Sequence, residues 1–108
     1  MIRAVLPVFR FGFVVVRGDS MQPTLFDGDW LLIDRNRQPG PGELVIVRFS
    51  DGEVSVKRVD LIEPAGYYVT RDNPRMGRDS WTLGGVPIPT EDLIATVVRR
   101  IHPLRRRA

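Results

Sequence analysis

The sequence predicts an all-β fold with little helix, from three observations. Runs rich in β-branched residues recur along the whole chain. Turn-forming residues interrupt them at short intervals. One connection, Ser50-Asp51-Gly52, is short enough to join two strands as a tight hairpin. The 108 residues amount to a single domain, with residues 1–12 as a lead-in and 102–108 as a basic tail.

The elements follow in order. Ala4 to Val16 is mostly apolar but falls short of the roughly 20 residues that a membrane-spanning helix needs. Pro7, Arg10 and Gly12 interrupt it, and no small-residue cleavage site follows. Val14–Val16 suit a buried strand, so the first strand is placed at Phe13–Arg17. The others are expected at Trp30–Asp34, Leu44–Phe49, Val54–Val59, Tyr67–Thr70 and Leu93–Ile101. Met21–Leu25 fits one helical turn, with Pro23 in its first turn, where a missing N–H costs nothing. Arg71 to Pro89 reads as a long irregular loop containing Gly77, Gly84-Gly85, Pro87 and Pro89, and loops of that length in small domains are often functional.

Composition removes several chemistries. There is no cysteine, so thiol nucleophiles, disulfides and thiolate zinc sites are excluded. The one histidine, His102, lies in the tail, which rules out a histidine-rich metal site and makes a Ser-His-Asp triad implausible. No metal or other cofactor is expected. Net charge is +3, and Arg99, Arg100, Arg105, Arg106 and Arg107 crowd the C-terminus. No aromatic residues interleave with them as a single-strand groove would require, so nucleic acid is not an expected partner. Hydrophobic residues at 43% suffice for one modest core. The protein is expected to be soluble and cytoplasmic. The sequence allows a peripheral membrane contact through Leu6, Phe9 and Phe11 without predicting one.

Three constellations carry chemistry. The first is Gly18-Asp19-Ser20-Met21-Gln22-Pro23-Thr24-Leu25 followed by Gly28-Asp29. The second is Val56-Lys57-Arg58-Val59. The third is Asp72-Asn73 with Asp79-Ser80 and Gly84. A serine hydroxyl needs a base to take its proton. A lysine can serve only when neutral, and a free lysine, titrating near about 10.4, is about one-thousandth neutral at pH 7.4. Burial among apolar residues favours the neutral amine, and Val54, Val56 and Val59 flank Lys57. From that strand alone an exposed lysine is the simpler reading, with Arg58 on the opposite face.

Together these boxes resemble the signal peptidase I family of serine/lysine peptidases, and that resemblance selects the buried role. It implies a compact signal peptidase I/LexA-like β-fold, with Ser20 as nucleophile and Lys57 as general base. Gly18, Asp19 and Ser20 would form or support the oxyanion site through backbone donors. Met21 and Pro23 would contact substrate, and Asp72, Asn73, Asp79 and Ser80 would form a supporting loop. The substrate would be a precursor protein bound as an extended strand. The third box departs from the family pattern: Arg71 replaces a glycine, Gly77 a lysine-orienting serine, and Trp81 an arginine that pairs with the aspartate. Ser80, Ser55 or a water could take over from the serine, and Arg75 or Arg78 could pair with Asp79. Small size, the early first box and the Val-Val-Arg-Arg-Ile-His-Pro-Leu-Arg ending resemble, within the family, the proteases that mature nickel-type superoxide dismutase by removing an N-terminal propeptide. The alternatives are a membrane-associated leader peptidase and a peptide-binding relative that has lost catalysis. A LexA-like self-cleaving fragment would need an Ala-Gly or Cys-Gly bond before Ser20, and the sequence has none.

Overall fold

A computed structural model describes residues 9–101. His102, the terminal arginine run, and the part of the lead-in containing Leu6 and Pro7 lie outside the described residues. Six strands form one antiparallel sheet: β1 (Phe11–Val15), β2 (Trp30–Asp34), β3 (Leu44–Arg48), β4 (Val54–Glu63), β5 (Gly66–Thr70) and β6 (Leu93–Ile101), in the order β1-β2-β6-β3-β4-β5. Among the described residues there is, beyond these, one short 3₁₀ turn, Thr90–Asp92. The expected all-β class is what forms, and no helix among the described residues is long and apolar enough to cross a membrane.

Both faces of the sheet are covered, which explains why β3 reads as an unbroken apolar run rather than an alternating one. Ile46 points into a cluster with Val16, Met21, Leu25, Leu31, Ile33, Ala95 and Val97. Its neighbours Val45 and Val47 point the other way, into a cluster with Phe49, Val59, Tyr67, Val69 and Ile88. The loop that follows β1 covers the first face with Val16, Met21 and Leu25. The loop after β5 returns Ile88 to the second face, where it exchanges backbone hydrogen bonds with Tyr67.

Five boundaries differ from expectation: β3 stops at Arg48 rather than Phe49, β5 starts at Gly66 rather than Tyr67, β1 shifts at both ends to Phe11–Val15, and β4 extends at its last. β1 begins two residues earlier, at Phe11, because its register is set by β2: Phe11 pairs with Asp34 and Val15 with Trp30. β4 runs four residues past Val59, because its exposed second half is held by pairing with β5 rather than by burial. The Met21–Leu25 segment forms a turn, closed by Leu25 N–H donating to Met21 O at 2.9 Å, with a cis Gln22–Pro23 bond and no assigned helix.

The offset between hairpins creates the feature that positions the site. β3 pairs with β4 over Val54–Arg58, whereas β5 pairs with β4 only from Arg58 onward. Val54–Lys57 therefore has one open edge among the described residues, and Lys57 is the last residue on it.

Candidate active site

Lys57 lies opposite Val45 on the second face of the sheet, in line with Val59 and near the Phe49 ring. It is the only lysine in the chain; every other side-chain cation, apart from the lone histidine, is an arginine. It is 1% exposed. Its Nζ donates to Ser20 Oγ at 2.9 Å, its one hydrogen-bonding partner among the described residues. Burial pushes the amine below its ordinary pKa of 10.5. Glu53 and Asp79 oppose that shift, and the charges of Arg78 and Arg71 reinforce it.

Ser20 is fixed by the loop between β1 and β2. Gly18, at φ +84°, turns the chain where a side chain would be strained, and its N–H donates to Asp27 Oδ1 at 2.7 Å. Val16 N–H donates to Asp29 O, and Gly28 N–H donates to Val16 O. The Asp19 side chain accepts from the Gln22 amide, and its backbone oxygen accepts from Gln22 N–H and Asn73 Nδ2. The Ser20 backbone N–H has no partner among the described residues, as a donor kept for a developing oxyanion must be. The Gly18 N–H is already committed.

The third box closes over this loop. Asn73 N–H donates to Ser20 O at 2.8 Å, so Asn73 grips two successive backbone carbonyls of the nucleophile turn. Asp72 accepts two hydrogen bonds from Arg58, at 2.9 and 2.6 Å, and one from the Thr24 hydroxyl. Arg58, on the strand face opposite Lys57, thus joins the third box to β4. Ser80, fully buried, accepts from Val69 N–H at 2.9 Å. It is committed to β5 and does not orient the lysine, nor does Ser55 bond to it.

Both remaining departures from the family pattern have structural answers. Asp79 pairs with Arg71, at 3.7 Å, and with neither Arg75 nor Arg78. The arginine has moved from the far side of the aspartate to the position that was expected to hold glycine. Burial pushes the Asp79 carboxyl up, but N–H donors from Thr82, Arg71 and Trp81 and the Arg71 charge outweigh it, leaving the carboxyl below its ordinary value. Gly77, at φ +83°, lies against Ser20. A Cβ there would come within 2.5 Å of the Ser20 Cβ. The position excludes any side chain, so a serine there could not sit beside Lys57 without moving Ser20.

A family model described as Peptidase S24-like matches residues 9–88, spanning the first five strands and all three boxes. The chain belongs to the peptidase S24-like family. That membership agrees with the single antiparallel sheet and supports a peptidase-type function.

Around this S24-like site, two cavities meet at Ser20. One, of about 100 Å³, lies between the end of β1 and the start of β4 and is walled by Val14, Val16, Met21, Ile46 and Val56. The other is wider and charged, with Arg17, Asp19, Glu53 and Arg78 at its margin. Pro23 faces neither; it lines a separate groove with Asn73, Pro74 and Met76. Motif reading overlooked Glu53 and Phe49, and named Arg58, Arg71 and Arg78 without giving them the partners they have here. No sequence signal pointed to their pairings; the single lysine among fifteen arginines singles out Lys57 alone.

Proposed function

We propose that the protein is a serine endopeptidase in which Ser20 and Lys57 form a catalytic dyad that removes an N-terminal propeptide or leader from a precursor protein. The observation that carries this reading is the 2.9 Å contact between Ser20 Oγ and a buried Lys57 amine that forms no ion pair with a carboxylate among the described residues.

The precursor lies extended between the open edge of β1 and the open edge of Val54–Lys57, pairing its main chain with theirs. A small side chain fills the 100 Å³ cavity and sets the scissile carbonyl over Ser20. Neutral Lys57 Nζ accepts the hydroxyl proton as Oγ attacks the carbonyl carbon. The tetrahedral oxyanion takes a hydrogen bond from the Ser20 N–H. The resulting ammonium gives its proton to the departing amine, and the C–N bond breaks. Lys57, neutral again, takes a proton from water as the water attacks the acyl ester, then returns it to Ser20 as the new carboxylate leaves.

The precursor to which the sequence resemblance points is a nickel-type superoxide dismutase with its propeptide attached. The test is incubation of that precursor with the wild type, Ser20→Ala and Lys57→Ala, read by intact mass. Cleavage at one bond by the wild type alone is expected; equal cleavage by all three would remove the enzyme reading. The rate should rise with pH as Lys57 deprotonates, on a limb below the ordinary lysine range. A profile flat from about pH 6 to 9 contradicts a lysine base.

A further inference from the structure

Lys57 cannot act as a base if a carboxylate holds it as an ammonium ion, yet two carboxylates face it. Asp79 comes from the loop after β5 and Glu53 from the β3–β4 turn. Asp79 is occupied by Arg71 and by three backbone N–H donors. Glu53 has no such cage. What engages it is Arg78, next to the Gly77 that covers Ser20. The Arg78 guanidinium lies 4.4 Å from the centroid of the Phe49 ring, gives Nη2 to both Asp51 oxygens at 2.8 Å, and stands 3.4 Å from Glu53 Oε1. Lys57 Nζ lies 5.9 Å from the centroid of the same ring. One fixed cation therefore occupies the aromatic ring and both acidic residues of the hairpin turn that borders the amine.

We propose that Arg78 is a positioning residue: it clamps Asp51, Glu53 and Phe49 to the loop covering Ser20, so that no carboxylate of the β3–β4 turn pairs with Lys57. The idea rests on the Ser20–Lys57 dyad and adds to it a device in place of the serine that Gly77 excludes. Three effects act together. The guanidinium neutralises Glu53, the carboxylate that lacks a cage of its own. It places a like charge beside the amine, which disfavours the ammonium. It also closes the hairpin turn onto the loop and so keeps water from the amine. The remaining charged groups around the amine are Arg71 and Asp79 from the same loop, and Arg17 and Asp19 at the margin of the cleft. Val45, Val59 and Val69, from the neighbouring strands, carry no charge.

Because the chain has one lysine, ¹³C-lysine labelling gives a single side-chain methylene signal at Cε, and its pH titration reads Lys57 without any substrate. In the wild type the midpoint is expected below that of a free lysine. Arg78→Gln should move it to higher pH, and Arg78→Gln with Glu53→Gln should bring it back toward the wild type. A purely structural role would lower the melting temperature without this reversal. An Arg78→Gln midpoint equal to that of the wild type overturns the proposal, as does a double variant that stays as high as the single one. Should Arg78→Gln fail to fold, the double variant is set against Glu53→Gln alone: a higher midpoint in the double variant supports the clamp, and equal midpoints overturn it. A wild-type midpoint at the free-lysine value would instead overturn the dyad itself, so the two failures are distinguishable.

Discussion

The two loops that meet at Ser20 and Lys57 are held in different ways. The β1–β2 loop is tied by short-range bonds within itself: Gly18 to Asp27, Phe26 to Asp29, Gly28 to Val16 and Gln22 to Asp19. The loop after β5 has backbone turns of its own and adds arginine–carboxylate pairs that reach other elements: Arg58 of β4 to Asp72, and Arg78 to Asp51 across 27 positions. The first loop fixes a hydroxyl, a task for local geometry. The second fixes the charge state of an amine, a task for electrostatics, which acts over longer distances. The Ser20 turn can therefore be written as a contiguous motif, whereas the surroundings of Lys57 are dispersed through the chain.

Substitutions can break that contrast, and the largest effect is expected at the dyad. Ser20→Ala and Lys57→Met should each lower cleavage by about 10⁴–10⁶-fold, and the double variant should be hardly worse, as expected of groups that act as a unit; single-turnover rates check this. Next is the contact between the loops. Gly77→Ser, which restores the residue type of the signal peptidase pattern, should reduce activity by about 10²-fold or more by displacing Ser20, since displacement of about 1 Å at a reacting atom has that effect. Equal or higher activity would mean that Gly77 is a vacancy and not a contact.

Smaller effects concern stability. Arg58→Ala should cost about 1–3 kcal/mol in denaturant melts, the lower end allowing for its partial exposure to solvent. The Arg58 hydrogen bonds hold the Asp72 carboxyl below its ordinary 3.8. That contribution is complete above about pH 4 and is lost as pH falls through the lowered value, so Arg58→Ala should flatten the acid limb of the stability curve. The smallest effect has the opposite sign. The buried amine has a depressed pKa, so the unfolded chain binds the extra proton between the depressed value and 10.5, and stability rises with pH across that window. Lys57→Met should remove this slope and stabilise the protein at neutral pH by about 0.5–2 kcal/mol, as replacing a costly active-site group commonly does. Thermal melts at several pH values would show whether the slope is absent.

The same contrast sets what could be read from sequence. All six strands were legible from β-branched runs, as was the hairpin at Ser50–Gly52. The limits of β1 and of the second half of β4 were not, because Phe11 and Asp60–Glu63 are held in strands by their pairing partners and not by their own pattern. Ser20 and Lys57 come together as the motifs anticipated, and Asn73 grips the nucleophile turn. Ser80 was taken for a candidate to orient the lysine but serves β5. The partner of Asp79 was sought on the wrong side, at Arg75 or Arg78. Arg71 looked like a lost glycine until the fold showed it filling the aspartate's pairing site. Sequence spacing says which residues are adjacent along a strand or turn; it does not say which of fifteen arginines reaches which acid.

The two halves of the dyad belong to opposite sides of the sheet, Ser20 to the loop packed on the first face and Lys57 to the row that faces the second. A chain in which only one layer has settled holds an ordinary alcohol and an ordinary ammonium ion. On the proposed mechanism hydrolysis would require both layers to have closed, so a half-folded copy emerging from synthesis would leave the extended chains around it uncut.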